Sequence, residues 1–395
     1  MLILVINAGS SSLKYQLIDS ATEAVVAKGN AERVGIAGSK LSQKNGDQAY
    51  EIEISMPDHI AAMEQVFAAL IGQGVIADAS AIGAVGHRVV HGGENFSASV
   101  IINDDVLAAI RQNVPLAPLH NPANLMGIEA CQKLMPNVPQ VAVVDTAFHQ
   151  TMPEKAFLYG VPYEWYTRLK VRRYGFHGTS HRFVAERAAQ MLGKPLESLK
   201  LVTCHLGNGS SIAAVDGGKS VDTSMGLTPL EGVSMGTRSG DIDPAIIKYV
   251  MDNDSLSIAE VDTCLNKKSG LFGVSGISSD MRDIIAGCKE NNPRAIAALE
   301  GFAYRVLKYV GSYAAAMGGL DAVIFTAGIG ENTPEVRSIV AKGLGFLGAK
   351  LDEQKNQGRT ECDLSTPDSR VKILLVNTNE ELAIARDTQA LVAGN

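Results

Sequence analysis

The chain is poor in the residues that mark secreted, zinc-binding or membrane proteins. It has five cysteines in 395 residues, and no two of them form a C-x-x-C pair. This odd, scattered set argues against a disulfide framework or a zinc site and favours a reducing compartment. No stretch reaches the roughly 18 apolar residues that a membrane-spanning helix needs, and no basic segment precedes the first apolar run. These features predict a cytoplasmic protein without a membrane partner.

Excess charge of one sign is also lacking. The net charge is −7, and charged residues make up 19% of the chain without a long basic run. This excludes the electrostatic footprint of a nucleic-acid-binding protein. The remaining composition, 46% hydrophobic with 39 glycines, is ordinary for a globular protein. Because one compact core rarely grows to this length, we expect two domains.

The first fourteen residues carry the strongest local signal. Residues 2–6 are apolar and predict a buried strand that stops at Asn7. Gly9 and three serines follow, and Lys14 lies in the alternating pattern of a returning strand. Backbone N–H groups, hydroxyls and one ammonium between two strands form a small anion cradle suited to phosphate. An ordinary serine-rich hairpin is the competing interpretation, since short motifs are weakly specific.

The same arrangement returns in the middle of the chain. A strand beginning at Lys200 runs into the Gly/Asn/Ser turn 207–211, and a second strand follows at 212–216. Elsewhere strands alternate with helices, which predicts mixed sheets flanked by helices. The predicted fold class is therefore α/β, with two duplicated domains and an active-site cleft between them. We expect the domains to comprise residues 1–150 plus 383–395, and residues 151–382.

Histidines gather in one part of the sequence. Seven of the eight fall between His87 and His205, mostly where a predicted strand becomes a loop. This clustering favours a shared active site over scattered core positions. His177 and His181 lie one helical turn apart, but no glutamate lies between them as a metalloprotease motif requires, so zinc is disfavoured.

Two arginines and three strand-end polar residues are further candidates. Arg88 and Arg238 are placed in loops rich in Gly, Ser and Thr, and arginine suits bidentate binding of carboxylate or phosphate. Asp145, Asn7 and Glu380 each follow an apolar strand, where acids and amides often hold a magnesium–nucleotide complex. For each residue alone, a surface salt bridge, a turn or a helix cap is the alternative.

Eight segments together resemble the acetokinase family, in the superfamily of sugar kinases, actin and the heat-shock ATPases. In chain order they are residues 7–14 (NAGSSSLK), 86–91 (GHRVVH), 145–149 (DTAFH), 174–181 (YGFHGTSH), 205–209 (HLGNG), 236–243 (GTRSGDID), 328–332 (GIGEN) and 378–382 (TNEEL). Each is weakly specific alone, but this order along the whole chain is specific to the family. The resemblance implies two RNase H-like domains, the second binding the nucleotide. It also implies reversible transfer of the ATP γ-phosphoryl group to acetate, giving acetyl phosphate and ADP by direct in-line displacement.

The resemblance also assigns roles on the nucleotide side. Asn7 and Glu380 would hold Mg²⁺, or Mn²⁺ in its place, with neighbouring Glu381 as the alternative to Glu380. The residues that would bind ATP are Lys14, His205, Leu206, Gly207, Asn208, Gly209, Asp280, Met281, Arg282, Gly328, Ile329, Gly330, Glu331 and Asn332.

On the acetate side, the resemblance implies that Arg88 grips the carboxylate. A small apolar pocket for the methyl group would consist of Val90, Leu119, Phe176 and Pro229. The moving phosphoryl group would be stabilised by His177 and Arg238, with His120. Asp145 would be the acid/base or positioning group, and because acetate is already a nucleophilic anion we favour positioning. The family further implies a homodimer and a place in acetyl-CoA biosynthesis.

Two rival functions remain open at this point. A propionate kinase of the same family would need a smaller residue near Val90, and valine there favours acetate, although one methylene gives only about 1–3 kcal/mol of discrimination. A chaperone-like ATPase of the superfamily would work through nucleotide-driven domain motion. Such a protein would have no reason to carry Arg88 and Arg238.

Overall fold

The computed structural model describes residues 1–394, which group into two compact units. The first comprises Met1–Gln150 and the segment that begins at Asn379, and the second is Thr151–Thr378. Residues 379–382 therefore group with the first unit, whereas the sequence pattern placed them in the second. The reason is that the last helix begins at Glu380 and continues without a break through the later residues.

Strands and helices alternate along most of the chain. The strands are β1 (Leu2–Gly9), β2 (Ser12–Asp19), β3 (Ala24–Glu32), β4 (Lys40–Asn45), β5 (Gln48–Glu53), β6 (Ile82–Val89), β7 (Val100–Ile101), β8 (Gln140–Val144), β9 (Lys200–Leu206), β10 (Ser210–Asp216), β11 (Lys219–Thr223), β12 (Ala322–Thr326), β13 (Cys362–Asp363) and β14 (Lys372–Leu375). The α-helices are α1 (His59–Gly72), α2 (Asp104–Gln112), α3 (Asn121–Leu134), α4 (Glu154–Phe157), α5 (Tyr163–Leu169), α6 (Gly178–Leu192), α7 (Ala245–Asp254), α8 (Ile258–Lys267), α9 (Gly270–Ser275), α10 (Met281–Lys289), α11 (Pro293–Met317), α12 (Ala327–Asn332), α13 (Pro334–Gly343) and α14 (Glu380–Ala393). None of the described helices is both long and apolar enough to cross a bilayer.

The sheet of the first unit is mixed and covered on both faces. Its strand order is β5-β4-β3-β2-β1-β6-β8-β7, with β1, β6 and β8 parallel to one another. Side chains of β1 alternate between two cores: Leu4 and Ile6 pack in the core that includes residues of α1 and α3, and Ile3 and Val5 pack with residues of α14. Burial on both faces explains why β1 is a continuous apolar run and not an alternating one.

The second unit repeats this design. Its sheet has the order β11-β10-β9-β12-β14-β13. Three antiparallel strands, β11, β10 and β9, are followed by the parallel strands β12 and β14. This is the order and direction of β3, β2, β1, β6 and β8 in the first unit. The predicted α/β class, with two similar domains built on mixed sheets flanked by helices, is confirmed.

Two strands extend further than the sequence suggested. The first strand was expected to stop at Asn7, but β1 continues to Gly9 and pairs Asn7 with Lys14, because only Ser10 and Ser11 form the turn. Likewise β6 extends to Val89, so Arg88 lies in a strand and not in the predicted loop. The sheet therefore fixes the backbone at both Asn7 and Arg88.

Close packing of α14 on β6 gives a stability prediction. A Cβ at Gly86 would overlap the Thr388 hydroxyl and lie 2.6 Å from Cγ2 of Ile384. Gly86→Ala should therefore lower the free energy of unfolding by about 1–3 kcal/mol, the usual cost of overpacking, as measured by urea denaturation. Gly311→Ala is the control, since open space surrounds this α11 position and alanine favours a helix. Equal stability of the two variants would contradict the packing described.

Candidate active site

Three polar side chains of the first unit meet at the ends of adjacent parallel strands. Ile3 and Val5 of β1, Ala84 of β6, and Val141 and Val143 of β8 share the core that contains α14 residues. Because side chains alternate along a strand, the next residues on this face are Asn7, Arg88 and Asp145. Helix α14 begins with Glu380 on the same face. Carboxyl ends of parallel strands are the usual ligand-binding edge of such sheets.

A bidentate ion pair forms the centre of this group. Arg88 donates from Nε to Asp145 Oδ1 at 3.1 Å and from Nη2 to Oδ2 at 2.6 Å. The Asp145 side chain is 1% exposed and that of Arg88 is 23% exposed. The Asp145 charge is the main cause that raises the pKa of Arg88. Asp145 therefore fixes the guanidinium through Nε and Nη2, and Nη1 forms no hydrogen bond with residues 1–394, which agrees with a positioning role.

Glu380 gives this end of the sheet an excess of negative charge. Its Oε2 atom lies 3.8 Å from Arg88 Nε. The pKa of Glu380 is raised to about 7, chiefly by burial, with the lowering effect of Arg88 opposed by smaller raising effects of Asp145 and Glu381. No hydrogen bond to the side chain of Asn7 is present among residues 1–394.

These oxygen donors fit a divalent cation. Magnesium prefers carboxylate and amide oxygens and completes its shell with water and substrate phosphates, and a cation here would offset the repulsion between Glu380 and its neighbouring carboxylates. The described residues contain no group of three His, Cys, Asp or Glu side chains that could hold a metal without such help.

In the second unit, His177 and Arg238 converge on one glycine. A Cβ at Gly209 would lie 3.3 Å from Arg238 Nη2 and 3.6 Å from His177 Cε1. Nη1 of Arg238 donates to the Pro229 carbonyl at 2.8 Å, and burial lowers the pKa of its guanidinium. No carboxylate within the described chain forms a salt bridge with Arg238. A half-buried cation without an anionic partner is suited to bind an anionic ligand.

His177 has an unusual backbone. Its φ of 57° is left-handed, and it immediately precedes α6. This conformation costs a non-glycine residue of order 1–3 kcal/mol, and such residues concentrate at functional sites. The ring is held by a 2.9 Å hydrogen bond between Nδ1 and Ser211 Oγ and by stacking on His205 at 4.1 Å between centroids. His177 thereby turns the chain into α6, which begins at Gly178.

A cavity of about 610 Å³ lies beside this pair in the second unit. Eight of its lining residues are predicted nucleotide ligands: Gly207, Asn208, Asp280, Met281, Arg282, Gly328, Ile329 and Asn332. The volume is within the range of small-ligand sites. The structure thus brings the turn after β9, the start of α10 and the α12 segment together, although they are far apart in sequence.

Three lining residues were missed by the sequence reasoning, namely Ser279, Thr333 and Arg359. Ser279 and Thr333 border predicted segments, so extending those segments by one residue would have found them. Arg359 lies in an irregular loop that no motif marks. The signal that could have pointed to this loop is Arg337, a charged residue on the apolar, fully buried face of α13.

Arg337 connects that loop to α12, the segment predicted to bind the nucleotide. It donates from Nη1 to the Gly330 carbonyl at 2.8 Å and from Nη2 to the Gly358 carbonyl at 3.1 Å. A buried arginine needs all its donors satisfied, so both segments are held in one arrangement. Arg359 follows directly and thereby reaches the cavity.

Other predicted nucleotide ligands lie away from the cavity wall. The carboxylate of Glu331 accepts from the Ala327 N–H at 2.9 Å, from Asn377 Nδ2 at 2.7 Å and from the Thr378 N–H at 3.1 Å. It therefore joins the ends of β12 and β14. His205 is buried, with Nδ1 2.8 Å from Ser180 Oγ. The remaining residues of this group, Leu206, Gly209 and Gly330, do not line the cavity, and Lys14 is an exposed residue of the first unit.

The residues predicted for the methyl pocket are divided between the two units, and His120 lies in the first. Val90 is buried, and its N–H donates to Asn124 Oδ1 at 3.0 Å. Leu119 is 76% exposed, and His120 beside it is exposed at the start of α3. In the second unit Phe176 is buried, and Pro229 lies next to Arg238 through the bond described above.

Comparison with known proteins decides the family. The model of the acetokinase family matches residues 2–386. The chain belongs to the acetokinase family. It is 60% identical over 396 residues to an acetate kinase of Thermoanaerobacterium thermosaccharolyticum, with 99% of both chains covered. It is 58% identical over 398 residues to an acetate kinase of Thermotoga maritima, again with 99% of both covered.

Solved structures of the family have the same fold. The acetate kinase of Porphyromonas gingivalis superposes with a TM-score of 0.97 at 46% identity, with 99% of each chain covered. A propionate kinase from Francisella tularensis superposes with a TM-score of 0.92 at 44% identity and the same coverage. The fold therefore does not by itself distinguish acetate from propionate as the acceptor.

Proposed function

We propose that this acetokinase is an acetate kinase, which transfers the γ-phosphoryl group of ATP directly to acetate. The activity follows from identity near 60% over the full length of curated acetate kinases. The observation that best supports the mechanism is the convergence of Arg238 and His177 on Gly209, close to the cavity bounded by the turn 207–208. A carboxylate oxygen of acetate forms the new bond to phosphorus, and the bond to the β-phosphate oxygen breaks, so that ADP leaves.

Phosphoryl transfer asks the protein mainly for alignment and positive charge. Charge spreads over the three equatorial oxygens of the moving group, and each donor aimed at it is typically worth a few kcal/mol. Arg238 supplies the charge and His177 supplies a ring N–H. The cavity would hold the nucleoside, and the turns beside the cavity would bind the phosphates. His205 would support the ring of His177, and Glu331 would hold the turn at the start of α12. Neither residue would contact ATP.

Arg88 would bind acetate through Nη1, the guanidinium nitrogen that Asp145 leaves without a hydrogen bond. Acetate carries a full charge, so it needs no general base, and the bidentate bond to Asp145 fixes the guanidinium in place. Val90 would contact the methyl group, together with Leu119, Phe176 and Pro229. His120 would donate a hydrogen bond to the phosphoryl group, and Lys14 would donate one to the nucleotide. The predicted cleft between the domains stays a prediction.

A magnesium ion would be held by Asn7 and Glu380, and bound there it would neutralise the nucleotide phosphates. Glu380 is preferred to Glu381 because its carboxylate is the one near Arg88. Manganese could replace magnesium, since both prefer oxygen ligands.

A homodimer is proposed for the assembled enzyme. Large apolar side chains of α7, α8, α9 and α11 stay exposed, with Tyr249 at 69%, Ile258 at 61%, Val274 at 50% and Tyr304 at 60%. Exposed apolar groups on neighbouring helices are typical of a covered interface. A monomeric mass by light scattering would contradict this proposal. The five cysteines are free thiols, which supports a cytoplasmic location.

Removal of either converging side chain should affect the chemical step. Arg238→Ala and His177→Ala should each lower kcat by about 10²–10³-fold, the cost of losing one transition-state donor, and KM for ATP should change much less. Arg187→Ala is the control, because that arginine pairs with Glu361 on the surface and should leave kcat unchanged. Steady-state kinetics with hydroxylamine trapping of acetyl phosphate measures all three. Near-normal kcat in both variants would exclude these residues from the transition state.

The acceptor assay tests class and substrate together. The buried Val90 should make kcat/KM higher for acetate than for propionate, by a factor of about 10–200 for one methylene. A clear preference for propionate would instead favour the activity named for the Francisella relative. ATP hydrolysis that is indifferent to either acid, without hydroxamate formation, would favour a nucleotide-driven ATPase.

The metal proposal predicts an effect at Asn7. Asn7→Asp adds a negative charge beside Glu380, so it should strengthen the binding of Mg²⁺ or alter the preference between Mg²⁺ and Mn²⁺. The activation constants of the two metals provide the measurement, with Asn45→Asp as a control at the end of β4. An unaltered metal dependence would count against a metal role for Asn7.

A further inference from the structure

We propose that Thr203, His181 and Ser211 form a hydrogen-bond relay that places the ring proton of His177 on Nε2. They would be positioning residues, since none of them is assigned to ATP or acetate. The inference rests on the proposed role of His177 toward the phosphoryl group, and it adds how that ring is kept in the form that donates from Nε2.

Strand pairing places the relay on one face of the second sheet. In the antiparallel pair β9–β10, Ser211 is opposite His205, and Ala213 is opposite Thr203. Side chains two residues apart on a strand share a face, so Thr203, His205 and Ser211 lie together. Helix α6 packs on β9 and brings His181 from its first turn, with His177 immediately before it. Thr203, His181 and Ser211 are all fully buried.

The contacts form an unbroken line. His177 Nδ1 lies 2.9 Å from Ser211 Oγ. Ser211 Oγ lies 2.7 Å from His181 Nε2. His181 Nδ1 lies 2.6 Å from Thr203 Oγ1. Each hydroxyl has one proton, and a neutral imidazole has one N–H and one acceptor nitrogen. Ser211 Oγ has no other partner among the described residues, so its proton is satisfied only by donation to one of the two rings, and the other ring must then donate to it. With neutral rings, two arrangements therefore satisfy every group along the line.

The Thr203 end decides between these arrangements. In the first, Thr203 donates to His181 Nδ1, His181 donates from Nε2 to Ser211, and Ser211 donates to His177 Nδ1. His177 then carries its proton on Nε2. In the second, every bond is reversed, and the Thr203 hydroxyl must donate to the Ala213 carbonyl at 3.5 Å. That distance is well beyond the 2.5–3.0 Å of a normal O–H···O bond, so the first arrangement is favoured.

The favoured arrangement suits phosphoryl transfer. A neutral His177 in this form donates from Nε2, while Nδ1 is occupied as an acceptor from Ser211. The neighbouring carbon Cε1 faces Gly209 and Arg238, where the charge of the moving group is expected. A proton on Nδ1 would instead present a lone pair to phosphoryl oxygens, which are themselves acceptors.

The test is the tautomer of His177 in the full-length enzyme, read from the ¹⁵N resonances of its ring and assigned with His177→Gln. The wild type should show a protonated Nε2 and an unprotonated, hydrogen-bonded Nδ1. Thr203→Val keeps the side-chain shape but removes the hydroxyl, so the bias is lost and both nitrogens of His177 should move toward averaged positions. If the two forms become equally populated, kcat should fall by about twofold without a change in either KM. Thr203→Ser should restore the wild-type resonances and kcat.

Several outcomes would overturn the relay. One is a proton on Nδ1 of His177 in the wild type. Another is a set of His177 resonances that does not change in Thr203→Val. If that variant does not fold, Ser211→Ala serves instead, and the Nδ1 resonance should move to that of a nitrogen without a hydrogen bond; an unmoved resonance contradicts the relay. Resonances that change as expected with no effect on kcat would confirm the relay and contradict the proposed role of His177 in transfer.

Discussion

The parallel arrangement of the neighbouring strands β1, β6 and β8, and of β9, β12 and β14, is the constraint on which both clusters of polar residues depend. Parallel strands end at the same edge of a sheet, and alternation decides which face each terminal side chain occupies. In the first unit this brings Asn7, Arg88 and Asp145 to one face. In the second it aligns the turn after β9 with the turn after β12. In β1 the residues before Asn7 are apolar on both faces, so the polar chemistry of that strand is confined to its end.

Burial at those ends makes the ionic groups depend on one another. Removing one partner of a buried ion pair typically costs 3–5 kcal/mol, because the other charge is left without compensation. Asp145 is such a buried charge, and it would lose its partner if Arg88 were removed. Arg238 differs, since its guanidinium is half-buried and has only a carbonyl and a thioether as close partners. Arg88 is therefore neutralised by a buried carboxylate, whereas no described carboxylate neutralises Arg238.

Much of this organisation could be predicted from the sequence, and the exceptions have physical causes. Strand ends identified Asn7 and Asp145, and the repeated strand–turn–strand pattern identified two similar domains. Arg88 was expected in a loop because glycine and histidine flank it, but glycine there makes room for α14. Glu331 lies in a segment predicted to bind the nucleotide, yet its carboxylate holds the turn, and a sequence motif cannot distinguish these two roles. Arg359 depends on Arg337, a contact between distant segments that leaves no local pattern.

The histidine cluster shows how far a spacing argument reaches. His177 and His181 are one helical turn apart, and the spacing alone suggested a metal pair that the flanking residues disfavoured. The structure shows that the two rings share the hydroxyl of Ser211. Because Ser211 has no other partner in the described structure, its hydroxyl donates to one ring and accepts from the other. The spacing therefore does have a function, because it couples the proton positions of two rings, and a buried threonine that contacts only the far ring can select the form of the near one.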